Sequence, residues 1–201
     1  MYKNIIFDFG NVLAEFYPEK LTRACVKDEQ SIKLISDVVF DRLYWNKLDD
    51  GTISDDEVKT EILKRLPDNL HESAVSVYDG WVKNLTPVKG MCELVKDLKK
   101  SGKKLYLISN ISIGFAESYS SVPWISALLS EFDGLVFSGP LHLTKPGKEI
   151  FEYLITSHCL NKEECIFIDD SELNINGAKA VGIPGYLFDG NCENLRSTLE
   201  V

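Results

Sequence analysis

The apolar run Ile5-Ile6-Phe7 is followed at once by the ionisable residue Asp8. Such a short apolar run predicts a strand that is buried on both faces of a sheet. A carboxylate at the end of a buried strand must be solvated, paired or bound to a metal, because burying it alone is costly. Ligands of open α/β sheets bind beyond the carboxyl ends of the strands, so Asp8 is the first candidate for chemistry. The alternative is a strand that ends in an Asx-type turn, with Gly10 adopting backbone angles that other residues avoid.

Residues 14–86 show helical spacing and no strand-like run. The apolar periodicity and the capping residues predict four helices. They run from Pro18 towards Lys27, from a Ser31 cap to about Leu48, from a capping box at Ser54 to Pro67, and over 72–85. A small bundle inserted after the first strand is expected to lie over the strand ends as a helical cap. The predicted division is therefore a core of residues 1–13 and 87–201 and a helical cap of residues 14–86.

From residue 87 onwards, strand-like and helix-like stretches alternate. Pro87 is expected to open a helix that Ser101-Gly102 closes. Four further strands are predicted over 104–108, 134–137, 165–168 and 185–188. The alternation predicts an α/β fold with a parallel sheet and helices on both of its faces.

Several of these strands end in polar residues, and a lysine lies on a nearby loop. In a parallel sheet such strand ends lie at the same edge, where several carboxylates would repel one another unless a cation lies among them. Mg²⁺ commonly combines one or two carboxylates with waters and substrate phosphate, and hydroxyl, amide and ammonium groups are donors for a phosphate. Each residue also has a simpler interpretation as an ordinary turn, loop or helix cap. The residues are Asp8, Ser109, Asn110, Lys145, Asp169 and Asp170.

Composition narrows the classes of partner. The formal charge is −9, which argues against a protein that binds a nucleic-acid backbone. No apolar run reaches transmembrane length, and the amino-terminal segment lacks a secretory signal pattern. The five cysteines are scattered, which predicts reduced thiols in a cytoplasmic protein. We expect a monomer or weak dimer, and we interpret Trp45, Trp81 and Trp124 as packing residues rather than residues that face a substrate.

Four motifs occur in the order typical of the haloacid dehalogenase superfamily, and the sequence resembles that superfamily over essentially the whole chain. The motifs are Asp8 in Phe-Asp-Phe-Gly-Asn-Val-Leu, Ser109 in Leu-Ile-Ser-Asn, Lys145 in Thr-Lys-Pro, and Asp169-Asp170 in Ile-Phe-Ile-Asp-Asp-Ser. The predicted helical cap, with its phrase Asp-Gly-Thr-Ile-Ser, resembles the C1-type cap of the family. The glucose-1-phosphate phosphatase-like subgroup and the phosphatase domain of soluble epoxide hydrolase are the most similar subgroups.

The resemblance implies an acidic metal site. Asp8 would be the nucleophile that forms an aspartyl-phosphate. Mg²⁺ would be held by the Asp8 carboxylate, the Gly10 main-chain carbonyl and the Asp170 carboxylate, with Asp169 acting largely through water. The substrate would be a small phosphorylated metabolite, such as a sugar phosphate.

The resemblance also implies a phosphate site. Ser109 and the Asn110 amide would bind phosphate oxygens. Lys145 would bridge Asp8 and the phosphate and offset charge in the transition state. Asn174 would orient Lys145 or the acidic pair.

One position departs from the family pattern. Most members carry a second aspartate two residues after the nucleophile as the general acid and base, and this sequence has Gly10 there. We therefore expect activity that is weak or restricted to good leaving groups, with Asn11, Glu15 or a metal-ordered water as candidate substitutes. Two alternatives to a phosphatase stay open at this point: a metal-independent 2-haloacid dehalogenase, and a non-catalytic protein that binds a phosphorylated ligand or a partner.

Overall fold

The computed structural model describes residues 2–200 and contains a parallel sheet of five strands in the order β5-β4-β1-β6-β7. A separate antiparallel pair is formed by β2 and β3. The strands are β1 (Asn4–Phe7), β2 (Ala14–Glu15), β3 (Thr86–Pro87), β4 (Lys104–Ser109), β5 (Gly134–Phe137), β6 (Cys165–Asp169) and β7 (Gly185–Leu187). The predicted α/β class and the strands of its parallel sheet are confirmed. Met1 and Val201, the outer ends of the predicted core, lie outside the described residues.

Helices cover both faces of this sheet. None of the helices within residues 2–200 is long and apolar enough to cross a membrane. The helices are α1 (Pro18–Arg23), α2 (Glu29–Val39), α3 (Arg42–Asp49), α4 (Asp55–Lys64), α5 (His71–Gly80), α6 (Met91–Lys100), α7 (Ile113–Ser118), α8 (Pro123–Leu129), α9 (Ser138–Leu141), α10 (Lys148–Ser157), α11 (Glu172–Ala180) and α12 (Cys192–Leu199).

The central strand β1 is buried on both faces. Ile5 and Phe7 belong to one apolar cluster and Ile6 to another, because successive side chains of a strand point to opposite faces. Hydrogen-bonded pairing in parallel register joins β1 to β4 on one side and to β6 on the other. The residues that follow these three strands therefore meet at one edge of the sheet.

The segment between β2 and β3 forms an apolar cluster of its own. Ile35 of α2, Val58 and Ile62 of α4 and Val77 of α5 are buried in this cluster. At its base the chain enters and leaves side by side, since Ala14 and Glu15 pair with Pro87 and Thr86. These features support a helical cap of residues 14–86, a division that stays a prediction.

The helices of this segment differ from the predicted ones. Asp28, not Ser31, caps α2, because its carboxylate accepts a hydrogen bond from the Ser31 amide at 2.8 Å. The predicted single helix to Leu48 is two helices, since α2 ends at Val39 and Asp41 starts α3 by accepting from the amide of Leu43 at 2.9 Å. The segment therefore contains five α-helices rather than four.

The return to the core was also predicted wrongly. Helix α5 ends at Gly80 rather than near Leu85, and Pro87 lies in β3 rather than at the start of a helix. The next helix, α6, starts only after Gly90, whose φ is 81°. Pairing with β2 draws Thr86 and Pro87 into an extended conformation, and the amide of Val88 donates to the Leu13 carbonyl at 3.0 Å. The capping box at Ser54 is confirmed.

Asp133, just before β5, links the start of this strand to α6 and β4. Its carboxylate accepts hydrogen bonds from the ammonium groups of Lys99 and Lys104 at 2.8 and 3.0 Å, and from the amide of Leu105 at 2.9 Å. Burial raises the pKa of Asp133, but the hydrogen bonds from Lys99, Leu105 and Lys104 outweigh it and lower the pKa to about 2. The ionised carboxylate therefore stabilises the folded chain.

We expect Asp133→Asn to lower the free energy of unfolding by about 1 kcal/mol at pH 7, because solvent screens the interactions of this partly exposed carboxylate. The folded-state pKa lies below the unfolded value, so this contribution is fully present above about pH 4 and is lost as the pH falls towards 2. Urea unfolding of wild type and variant at pH 7 and pH 3 measures both effects. Asp37→Asn, which removes an exposed carboxylate on α2, is the control and should change stability by less than about 0.5 kcal/mol. A pH-independent difference for Asp133→Asn would contradict the assignment.

Candidate active site

Three neighbouring strands bring their polar ends to one edge of the sheet. Asp8 follows β1, Ser109 ends β4 and Asp169 ends β6, and all three residues are buried. The amide of Asp8 donates to the Ile168 carbonyl at 2.8 Å, which continues the β1–β6 ladder up to the nucleophile candidate. The side chains that the strand-end argument predicts to be neighbours are therefore brought together.

Lys145 lies between two carboxylates. Its ammonium group is 2.6 Å from Asp8 Oδ1 and 2.7 Å from Asp169 Oδ2, and the side chains of Lys145 and Asp169 are 1% and 0% exposed. Burial favours the neutral amine, but the charges of Asp8 and Asp169 outweigh it and raise the pKa of Lys145. Lys145 is therefore held as an ammonium ion against Asp8.

The loop that carries Lys145 is fixed by Asn110. The side-chain amide of Asn110 donates to the Lys145 carbonyl at 2.9 Å, and its oxygen accepts from the Lys145 amide at 2.8 Å. Both polar atoms of the Asn110 side chain are therefore occupied by the loop that carries Lys145. Only the main chain of Asn110 is then available for the phosphate role that the resemblance implies.

Asp169 is saturated with donors. Besides Lys145, it accepts hydrogen bonds from the amide of Ser171 at 2.8 Å and from the side chain of Asn174 at 3.1 Å on both oxygens. The structure thus places Asn174 on Asp169 rather than on Lys145. A fully buried carboxylate with these partners is suited to hold Lys145 in place.

The turn after β1 is built around Asn11. Asn11, not Gly10, adopts the left-handed conformation, with a φ of 54°. Its side-chain oxygen accepts from the Phe16 amide at 3.0 Å, and its amide nitrogen donates to Asp170 Oδ2 at 3.2 Å. A Cβ atom on Gly10 would meet only the Phe16 Cβ, at 4.0 Å. Lack of space therefore does not explain the missing side chain at position 10.

Three carboxylates make this edge of the sheet strongly acidic. One oxygen each from Asp8, Asp169 and Asp170 lies within 4.8 Å of the others. Burial raises the pKa of Asp8, an effect that Lys145 opposes and Asp169 reinforces. Burial also raises the pKa of Asp170, which Asn11 partly counteracts. A single ammonium ion leaves excess negative charge on hard oxygen donors, so the residues fit a hard divalent cation such as Mg²⁺.

A cavity of about 650 Å³ opens above these residues. The sheet edge contributes the candidate residues, and the helical segment contributes one face of α3. The α3 residues that line the cavity are Arg42, Trp45, Asn46 and Asp49. They recur at helical spacing, i, i+3, i+4 and i+7, a signal visible in the sequence, but only Trp45 among them was considered there. Trp45 and Trp81 are packed in the core as predicted, and both also line the cavity.

The fold and this edge define an α/β protein with a parallel sheet and an aspartate and lysine site below a helical segment. The family model of the haloacid dehalogenase-like hydrolases matches residues 2–182. The chain belongs to this family.

Relatives with assigned activities are similar over most of their length. A sesquiterpene phosphatase from Aspergillus oryzae is 27% identical over 198 residues, which cover 97% of this chain and 95% of the relative. A D-ribitol-5-phosphate phosphatase from Bacteroides thetaiotaomicron is 28% identical over 191 residues, covering 90% and 89%. Among solved structures, a haloacid dehalogenase family enzyme from B. thetaiotaomicron, in complex with magnesium and inorganic phosphate, superposes with a TM-score of 0.73 at 21% identity, covering 97% of this chain and 99% of that one.

We expect Lys145→Met to lower the free energy of unfolding by about 3–5 kcal/mol near pH 8, because Asp8 and Asp169 would be left buried without their cation. The loss should shrink towards pH 5, since burial raises the pKa of Asp8 to about 7 and its protonation removes part of the uncompensated charge. Urea unfolding at both pH values, without added divalent cation, measures this. Lys148→Met, three residues on at an exposed position, is the control. Equal stability of both variants would show that the buried pairs do not form.

Proposed function

We propose that this chain is a Mg²⁺-dependent phosphatase of a small phosphorylated metabolite that reacts through an aspartyl-phosphate on Asp8. The observation that carries the proposal is the Lys145 ammonium held 2.6 Å from Asp8, with Asp170 beside it and a cavity above. A carboxylate nucleophile, a fixed cation and a metal-binding acid are the groups that phosphoryl transfer requires.

Each residue has a role in this reaction. An Asp8 oxygen attacks phosphorus and the bond to the ester oxygen breaks, which leaves the phosphoryl group on Asp8. Lys145 offsets the charge that builds up on the phosphoryl oxygens. Ser109 and the main-chain amide of Asn110 bind those oxygens, and Asp169 with Asn174 positions Lys145. Water then cleaves the aspartyl-phosphate and restores Asp8.

The Asp8 and Asp170 carboxylates and the Gly10 carbonyl would hold the metal ion. A bound Mg²⁺ neutralises charge on the carboxylates and on the phosphoryl group. Asp169 is the least suited of the three acids to reach a metal, because both of its oxygens accept hydrogen bonds from the chain. We therefore assign it to the lysine rather than to the metal.

The relatives support this proposal and leave the substrate open. The two relatives that match over most of their length act on a sesquiterpene phosphate and on a polyol phosphate, as their names state. The organic groups in these two names, a sesquiterpene and ribitol, differ greatly. The cavity walls carry both apolar and polar surface, with aromatic side chains from Phe16, Trp45 and Trp81 and polar ones from Arg42 and Asn46.

We also propose a cytoplasmic location, because the five free thiols fit a reducing compartment.

The same geometry disfavours the alternatives. A metal-independent dehalogenase has no use for Asp170, the third carboxylate in a site with one ammonium ion. A non-catalytic protein has no need of a buried lysine against a buried nucleophile candidate, because such pairs are often no more stable than apolar replacements.

We expect Asp8→Asn to lower phosphate release by at least about 10³-fold, because the nucleophile is removed while its shape is kept. The assay is a panel of sugar, polyol and aryl phosphates with Mg²⁺, and the variant serves as the blank. Asp37→Asn, outside the cavity, controls for preparation. Hydrolysis by Asp8→Asn at the wild-type rate would refute the aspartyl-phosphate route.

We expect Mg²⁺ to raise the melting temperature of the wild type, with a gain of about 2.7 kcal/mol at a hundredfold excess over the dissociation constant. Asp170→Asn should lose most of this gain, whereas Asp56→Asn, an exposed acid on α4, should keep it. Differential scanning fluorimetry with and without Mg²⁺ measures the shift. Equal shifts for the two variants would place the cation elsewhere. No shift with Mg²⁺, alone or with beryllofluoride, would favour a non-catalytic protein.

A further inference from the structure

Four carboxylates line the cavity, and three of them already have partners or roles. Asp8 is the proposed nucleophile, Asp170 belongs to the acidic cluster, and Asp50 accepts hydrogen bonds from the amide and hydroxyl of Thr52. The fourth is Asp49, whose carboxylate has no role in the steps described so far.

Two of the three substitutes first considered for the absent aspartate at position 10 do not fit. Glu15 lies in β2, pairs with Lys20 and Thr86, and is not among the residues that line the cavity. Asn11 cannot release a proton at neutral pH, and its side chain is engaged by Asp170 and Phe16. A metal-ordered water and any further acidic group that lines the cavity remain as candidates for the acid.

Asp49 is a buried carboxyl without a partner. It is the last residue of α3, on the stripe that faces the cavity, and only 9% of it is exposed. Within residues 2–200 its carboxylate accepts no hydrogen bond from the chain, unlike the saturated Asp169. A carboxyl in such a place is costly to keep ionised and is available to a ligand in the cavity.

The main chain of Asp49 is fixed to the catalytic edge. Its carbonyl accepts from the Ser138 hydroxyl at 2.5 Å, and the same hydroxyl accepts from the amide of Ile111 at 2.8 Å. Ile111 follows directly on Ser109 and Asn110, the proposed phosphate-binding pair. Next to Asp49, the Asp50 carbonyl contacts His142 Nδ1 at 2.8 Å. These hydrogen bonds therefore fix the position of the carboxyl-terminal end of α3 relative to the phosphate site.

The electrostatic surroundings suit proton transfer. Burial raises the pKa of Asp49 to about 6, although Arg42 on the same helix and Lys145 across the cavity oppose the shift, and Asp50 reinforces it. His142 is the other titratable group packed against this end of α3. A proton donor is most effective when its pKa lies near the working pH.

We propose that Asp49, supplied by helix α3 of the predicted cap, is the general acid and base of the phosphatase reaction in place of an aspartate at position 10. This inference rests on the proposed function. As Asp8 attacks phosphorus and the P–O ester bond breaks, the Asp49 proton moves to the leaving oxygen and yields the alcohol. The Asp49 carboxylate then takes a proton from the water that attacks the phospho-Asp8. The P–O bond to Asp8 breaks, inorganic phosphate leaves, and both aspartates return to their starting forms.

With Asp49 as the proton donor, the enzyme should also hydrolyse esters with poor leaving groups, which replaces the earlier expectation of activity restricted to good leaving groups. Benzyl phosphate and p-nitrophenyl phosphate carry rings of similar size, but only the benzyl alkoxide needs a proton to depart. We expect Asp49→Asn to lower kcat/KM by about 10²–10⁴-fold for benzyl phosphate and by less than about tenfold for p-nitrophenyl phosphate. Asp56→Asn, which removes an exposed carboxylate on α4 outside the cavity, should keep the wild-type ratio between the two esters.

A second measurement tests the role of Asp49 as the base in hydrolysis of the phospho-Asp8. With p-nitrophenyl phosphate, Asp49→Asn should accumulate a covalent phosphoryl group on Asp8, visible by intact-protein mass spectrometry after a rapid acid quench, because its hydrolysis lacks the base. Equal losses on both esters, wild-type turnover without accumulation, or a wild type that cleaves only the nitrophenyl ester would each overturn the role of Asp49 and leave the phosphatase standing. A wild type inactive on every phosphate ester would overturn the proposed function itself.

Discussion

The ion pairs of Lys145 with Asp8 and Asp169 are the contacts on which the rest of the site depends. Two buried carboxylates at the ends of adjacent strands would repel each other, and a buried ammonium ion alone would be as costly. Together, at 2.6 and 2.7 Å, they satisfy one another below the cavity, with Lys145 and Asp169 shielded from solvent. Asn110 fixes the lysine loop and Asn174 fixes Asp169, so the surrounding side chains serve chiefly to hold this arrangement.

The strand order explains why these groups meet. Because β1 lies between β4 and β6, residues that are far apart in sequence arrive at the same edge with their backbones in register. The helical segment completes the site from the other side through one face of α3, whose carboxyl-terminal end is bonded to the core through Ser138. On our proposal, substrate selection and proton transfer therefore fall to the helical segment, and phosphoryl transfer falls to the residues at the sheet edge.

Local patterns predicted the core well because buried parallel strands are continuous apolar runs, and each of these runs is followed by a turn or a polar residue. The five sheet strands, Asp8 at the end of the first and the capping box at Ser54 followed from such patterns. The helical segment was less predictable. Asp28 and Asp41 each compete with neighbouring polar residues as caps, and the apolar spacing continues across the break at Phe40, so periodicity alone could not show two helices. Gly10 was likewise expected to take the unusual backbone angles that Asn11 takes.

The sequence by itself determined which chemical groups this protein possesses: a nucleophile candidate, a serine and an acidic pair at its strand ends, and a lysine on a loop, in a family-typical order. It also showed that the second aspartate is absent from position 10. Only the tertiary structure decided which of these groups touch, and that Asp169 is paired with Lys145 rather than free. It also decided that Asp49 faces the same cavity from α3. The reason is physical: burial and pairing of a charge depend on residues brought close by folding, and no spacing along the chain reports that distance.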